Sequence, residues 1–151
     1  MVSGQPFLLV VSYDEPHHPF TCPPEYVEPF VDYDYPIGPG AFDTLENKPA
    51  HQREWAASAR MGQRVRENGT IRTPMYLGCN SFVDAEIGRV IDAIHAYTPE
   101  NTYILFTSDH GDMLGAHQLS GKGPAMYEEI AHIPFILEPP EGGGGRVVET
   151  L

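Results

Sequence analysis

The sequence predicts an α/β fold with a mostly parallel sheet flanked by helices. Three observations carry this reading. Apolar runs without alternation recur at residues 7–13 (FLLVVSY), 102–107 (TYILFT) and 133–137 (IPFIL), and such runs suit strands covered on both faces. Between the first two lies a long stretch whose apolar residues step by three and four, the period of a helix. The resulting order is strand, helices, strand, short helix, strand, as in chains whose parallel strands are joined by helical crossovers.

Each element has its own justification. The first run ends in DEPHHPF, which is loop. Residues 21–48 are rich in Pro, Gly, Tyr and Asp with no period, and read as an irregular excursion. Residues 47–67 read as a helix, with Asn47 as cap, Pro49 in the first turn and Gly69 past the end. NGT at 68–70 fits a glycosylation acceptor, but Asn-Gly is also a strong turn signal, and the turn is the preferred reading. Thr73-Pro74 opens a second helix whose face is Tyr76, Cys79, Val83, Ile87, Val90 and Ile94, with Pro99 past its end. Residues 124–131 read as a short helix, and GGGG at 142–145 as a flexible turn.

The chain has 151 residues, 41% hydrophobic and 11% aromatic, enough for one domain with a core. No apolar run approaches the ~20 residues of a membrane span, and no basic segment precedes the first apolar run as in a signal peptide. A net charge of −12 argues against nucleic acid or an anionic membrane as partner. A small anionic substrate stays open, because a local lysine or metal ion can outweigh the global field. Six of the nine basic residues fall between Lys48 and Arg72, which reads as a solvated helix face or a substrate rim. The two cysteines form no CxxC motif, so a zinc ribbon or thioredoxin-like site is excluded. Cys79 reads as a small core residue.

Chemistry gathers at two strand ends. Tyr13 leads into Asp14, His17 and His18, and Thr107 leads into Asp109 and His110. Ligands of open α/β sheets collect beyond the carboxyl ends of strands. Gly111 permits the turn that would let Asp109 and His110 converge. A carboxylate and an imidazole can serve a divalent cation, or can be a loop carboxylate and a hydrogen-bonded histidine. Lys122 stands between two glycines, thirteen positions after Asp109 (122 − 109 = 13). It can hold an anionic oxygen or be solvated. A zinc site of Asp109, His110 and His117 is conceivable, but matches no recognised spacing. His51, His95 and His132 read as structural.

The segment TSDHGDMLGAHQLSGKGPAMYEEIAHIPFIL closely resembles the later core motif of type I sulfatases in the alkaline phosphatase superfamily; phosphonate monoester hydrolases and choline sulfatases carry similar versions. PFLLVVSYDEPHHPF is similar to the family strand ending in a Pro-His segment, and YLGCNSFVDAEIGRVIDAI to the family helix before the Asp-His strand. The resemblance covers about half of the chain, in the family's order. It implies a single partial alkaline-phosphatase-like domain over residues 1–151, without the N-terminal nucleophile segment and truncated at its C-terminal side. It implies that Asp109 and His110 bind a divalent metal, usually Ca2+ with Mn2+ or Zn2+ as alternatives. Lys122 would bind sulfate or phosphonate oxygens, and His17 would contact a small anionic ester and protonate its leaving oxygen. Asp84 matches a structural helix position.

One departure is large. The family's nucleophile, a formylglycine made from Cys or Ser in Cys/Ser-x-Pro-x-Arg, has no counterpart among these residues. CPPEY at Cys22 mimics it, but has the wrong last residues and follows the His17 segment. The implied activity is sulfate ester hydrolysis by a larger enzyme, with phosphonate or phosphodiester hydrolysis and a non-catalytic binding module as alternatives. The chain alone is expected to be inactive, to bind metal weakly or not at all, and to self-associate through an unpaired sheet edge.

Overall fold

The computed structural model describes residues 5–60, 64–98, 101–140, 142 and 145–149. Helices are α1 (Pro24–Val27), α2 (Ala50–Ala59), α3 (Pro74–Tyr97) and α4 (Glu128–Ala131). Strands are β1 (Tyr35–Pro36), β2 (Thr70–Ile71), β3 (Ile104–Thr107) and β4 (Phe135–Glu138). The second helix and the last two strands fall where the sequence places them. Of the glycine turn expected at 142–145, positions 143 and 144 lie outside the described residues.

The described sheets correct the expectation of parallel strands. β1 pairs with β2 and β3 with β4, both antiparallel, with Thr107 opposite Phe135 and Ile104 opposite Glu138. A parallel crossover must carry the chain back to the start of the first strand, usually on a helix. The 27 residues between β3 and β4 (134 − 107 = 27) are long enough for a crossover, but their one α-helix is the four-residue α4, about 6 Å long. The intervening loop instead returns to the end at which β3 stops, where the Thr107 hydroxyl donates to Pro134 O at 2.9 Å.

Residues 7–13, expected as a buried strand, take no strand assignment and pair with nothing among the described residues. Their apolar side chains are open to solvent, Leu8 at 89%. Apolar composition favours a strand only when a neighbour supplies hydrogen bonds and cover. The end of the run is tethered by the Tyr13 hydroxyl, which donates to Glu86 O on α3 at 3.4 Å.

The excursion is more ordered than its composition suggests. α1 lies on α3 at Gly78, where an added Cβ would stand 2.9 Å from Val27 Cγ2. The helix expected over 47–67 stops early: Arg60 turns left-handed (φ 52°) and its N–H closes on Ala56 O at 3.0 Å. Asn68-Gly69 then makes the expected turn, with Gly69 at φ +74° and the Thr70 hydroxyl donating to Asn68 Oδ1 at 2.8 Å. The basic residues after α2 do not form a helix face. Arg66 and Arg72 both pair with Asp34, at 2.6 and 2.9 Å, and clasp β1 to β2.

The core sits beneath the loop after β3 rather than under a broad sheet. Leu45, Met113, Ala116, Leu119 and Ile130 are buried together, with Trp55 and Tyr127 packed against them. On α3 the predicted stripe is buried at Cys79 and half-buried elsewhere.

Candidate metal and anion site

β3 delivers Asp109 and His110 to the protein's edge, and the turn that follows is fixed from below. Gly111 donates its N–H to Ile130 O at 2.9 Å, and a Cβ at Gly111 would lie 2.0 Å from Glu129 O. Only glycine lets the strand end approach α4 this closely. The Ser108 hydroxyl donates to His110 O at 2.9 Å, tightening the same turn.

Within that turn, His110 Nε2 lies 3.3 Å from Asp109 Oδ2. His110 Nδ1 is 2.8 Å from Gly111 O, which can only accept. Both partners accept, so the ring serves Gly111 O through Nδ1 and Asp109 Oδ2 through Nε2 together only when it carries both protons. Burial opposes ionisation of Asp109. The His110 ring, the His110 and Asp109 amides and the Lys122 ammonium outweigh it, so the pKa falls below its ordinary 3.8. The carboxylate is thus charged at neutral pH.

Lys122 is placed by backbone bracing. Asp112 Oδ1 accepts from Leu114 N at 2.9 Å and from Gly121 N at 3.1 Å, and Met113 N donates to Gly121 O at 3.0 Å. On its other side, a Cβ at Gly123 would meet the Trp55 ring at 2.7 Å. The lysine is exposed and its charge reaches Asp109.

Two ligand atoms 3.3 Å apart suit neighbouring corners of one coordination shell, in which donors about 2.0–2.6 Å from the ion stand roughly 3 Å from each other. Asp109 and His110 fit two positions of a divalent cation's shell. Among the described residues no group of three or more His, Cys, Asp or Glu could hold a metal. The conceivable zinc trio is not formed. His117 turns away to Asp43, with Nδ1 to Oδ2 at 2.7 Å, stacks on Tyr127 at 4.1 Å, and reaches Glu129 at 3.7 Å.

His17 is not joined to Asp109, His110 or Lys122 by any hydrogen bond or ion pair. It stands exposed in its loop, its N–H donated to Asp14 O at 2.9 Å and its ring stacked on His18 at 4.5 Å. A concavity of about 360 Å³ also lies elsewhere, between Leu45, Arg53, Ala56 and Arg60. Convergent charge, not pocket volume, marks the site. Asp112, which lies near the metal candidates in sequence, braces the loop instead; Trp55 escaped the sequence reading, since no local signal marks it.

Comparison with known proteins decides the family. The family model described as Sulfatase matches residues 1–151. The chain belongs to the sulfatase family. The sulfatase segment is 53% identical over 140 residues to "Uncharacterized sulfatase YidJ" of Escherichia coli (strain K12), covering 93% of this chain and 28% of that protein. It is 31% identical to "Arylsulfatase" of Clostridium perfringens (strain 13 / Type A), over 98% of this chain and 31% of the relative. It is 30% identical to "Choline-sulfatase" of Rhizobium meliloti (strain 1021), over 91% and 27%. The segment therefore spans less than a third of each of these relatives' length. No solved structure matches it. Its helices and small sheets are part of an α/β, alkaline-phosphatase-like fold, and among the described residues no helix is long and apolar enough to cross a membrane.

Proposed function

We propose that this segment supplies the metal and sulfate half of a sulfate ester hydrolase. The observation that supports this most is the pairing of His110 Nε2 with Asp109 Oδ2 at 3.3 Å, with Lys122 in electrostatic reach. Asp109 and His110 would hold a divalent metal, Ca2+ or else Mn2+ or Zn2+, which when bound supplies positive charge against the ester oxygens. A formylglycine would come from a Cys/Ser-x-Pro-x-Arg segment, which these 151 residues do not contain.

The chain's own residues do the rest. Asp109, kept ionised, holds its cation without competing for a proton. Lys122 places an ammonium on the non-bridging sulfate oxygens and balances their charge while the bond to the alcohol breaks. His17 donates Nδ1–H to the His18 carbonyl at 2.7 Å, and in the doubly protonated ring Nε2–H is the proton that passes to the departing alcohol. This role requires the His17 loop to close on the strand end. The substrate is a small anionic ester, admitted by a local positive field despite the net charge.

In a full-length sulfatase carrying this segment, Lys122→Ala should lower kcat/KM for 4-nitrophenyl sulfate by about 100-fold or more. Lys122→Arg should retain part of the activity. Activity within twofold of the parent in Lys122→Ala would refute the assignment. The 151-residue chain alone should hydrolyse none of the ester.

A further inference from the structure

Cys22 and Cys79, 57 positions apart (79 − 22 = 57), are both free. Cys79 is fully buried on α3, and Cys22 is half-buried. The segment that carries Cys22 is laid along α3 by contacts on either side of it. Phe20 meets Tyr76 edge-on at 5.3 Å, and Tyr26 meets Phe82 at 5.2 Å. Tyr76, Cys79 and Phe82 step by three and share one helix face. Cys79 therefore lies between the two aromatic contacts on the helix, as Cys22 does on the segment. Cys22 and the Thr21 backbone are near enough to act on the ionisation of the Cys79 thiol. The close seat of Val27 against Gly78 holds the two pieces in register.

We propose that Cys22 and Cys79 form a thiol–disulfide exchange site that closes into an intramolecular disulfide, locking the segment that bears His17 onto α3. The co-reactant is a small disulfide, with oxidised glutathione as the probe. Cys22 is the entry point, because only it is open to solvent. Its thiolate attacks one glutathione sulfur, forms a mixed disulfide and releases one glutathione thiolate. The Cys79 thiolate then attacks the Cys22 sulfur, forms the internal bond and releases the second glutathione thiolate. The two cysteine protons pass to the two leaving thiolates. The pair is oxidised by two electrons and one oxidised glutathione is reduced to two thiols.

Burial holds the Cys79 thiol up at about 11. It is therefore a poor nucleophile toward bulk reagents, and the neighbouring mixed disulfide is its natural target. The locked segment contains the whole His17–Cys22 stretch, so closure limits how far the His17 loop can travel.

The 151-residue chain is incubated with oxidised glutathione and analysed by non-reducing peptide mapping, thiol titration and thermal melting. The expected result is a peptide linking Cys22 to Cys79 in monomeric protein, with both thiols lost and the melting midpoint raised by about 10 °C. Dithiothreitol should reverse all three. Cys22→Ser should abolish the link and the shift. Because Cys79→Ser alters a buried position, the decisive control is Cys22→Ser together with the wild-type thiol count. Persistence of both free thiols, a mixed disulfide at Cys22 that never resolves, or only intermolecular links would overturn the proposal.

Discussion

The carbonyl oxygen of Glu129 fills the space that a side chain on Gly111 would need, 2.0 Å from the position of its Cβ. The strand end with Asp109 and His110 is therefore seated directly on the backbone of α4. Gly111→Ala must push α4 away or unwind the turn, and should destabilise the chain by about 1–3 kcal/mol. Urea denaturation of both proteins measures this. An unchanged midpoint would show that the two pieces are not in contact.

Acid should loosen the pair of Asp43 and His117. The His117 ring and the Leu45 amide hold the Asp43 carboxyl below its ordinary 3.8, against the opposing effect of burial. A folded-state pKa below the unfolded one adds stability at pH above the unfolded value, and that stability is lost as pH falls through the folded value. The chain should thus lose stability below about pH 4. Asp43→Asn should be less stable than the parent at pH 6, with the gap narrowing as pH falls toward 3. Melting curves across this range test it, and a constant gap would contradict it.

Two donors make a weak cation site. Calorimetric titration of the 151-residue chain with CaCl2 should show no binding tighter than the millimolar range, since Ca2+ takes 6–8 oxygens. Asp109→Ala should remove what heat there is. Tight one-to-one binding would mean that further ligands come from this chain.

β4 presents Phe135, Ile136 and Leu137 to solvent, at 72%, 59% and 53% exposure, beside Leu105 at 53%. An open apolar strand is a template for pairing. The chain should sediment as concentration-dependent oligomers, and Ile136→Lys should shift it toward monomer. A monomeric wild type at about 100 µM would sink this expectation.

Much of the site was legible because it is local. Asp109, His110 and Gly111 follow one another on a strand end, and Lys122 lies on the same loop. α3 was legible for the same reason: a helix face repeats within a few residues, and Tyr76 to Ile94 kept that period. Strand direction was not. Apolar runs suggest a strand, not which way its neighbour runs, and the antiparallel pairing of β4 with β3 is carried by no local pattern. The run at residues 7–13 shows the converse, since its composition suits a strand for which the described residues offer no partner. Asp43–His117 and Cys22–Cys79 join residues far apart in sequence, and no spacing rule marks either pair.

The indole of Trp55 has a consequence of its own. It rests on Gly123, next to Lys122, yet it comes from α2 and carries no charge. Replacing the ring with a smaller one would let the lysine's backbone settle inward without removing any charge. Under the sulfatase reading, the grip on an oxyanion can thus be tuned by bulk alone, through a side chain with no charge to offer.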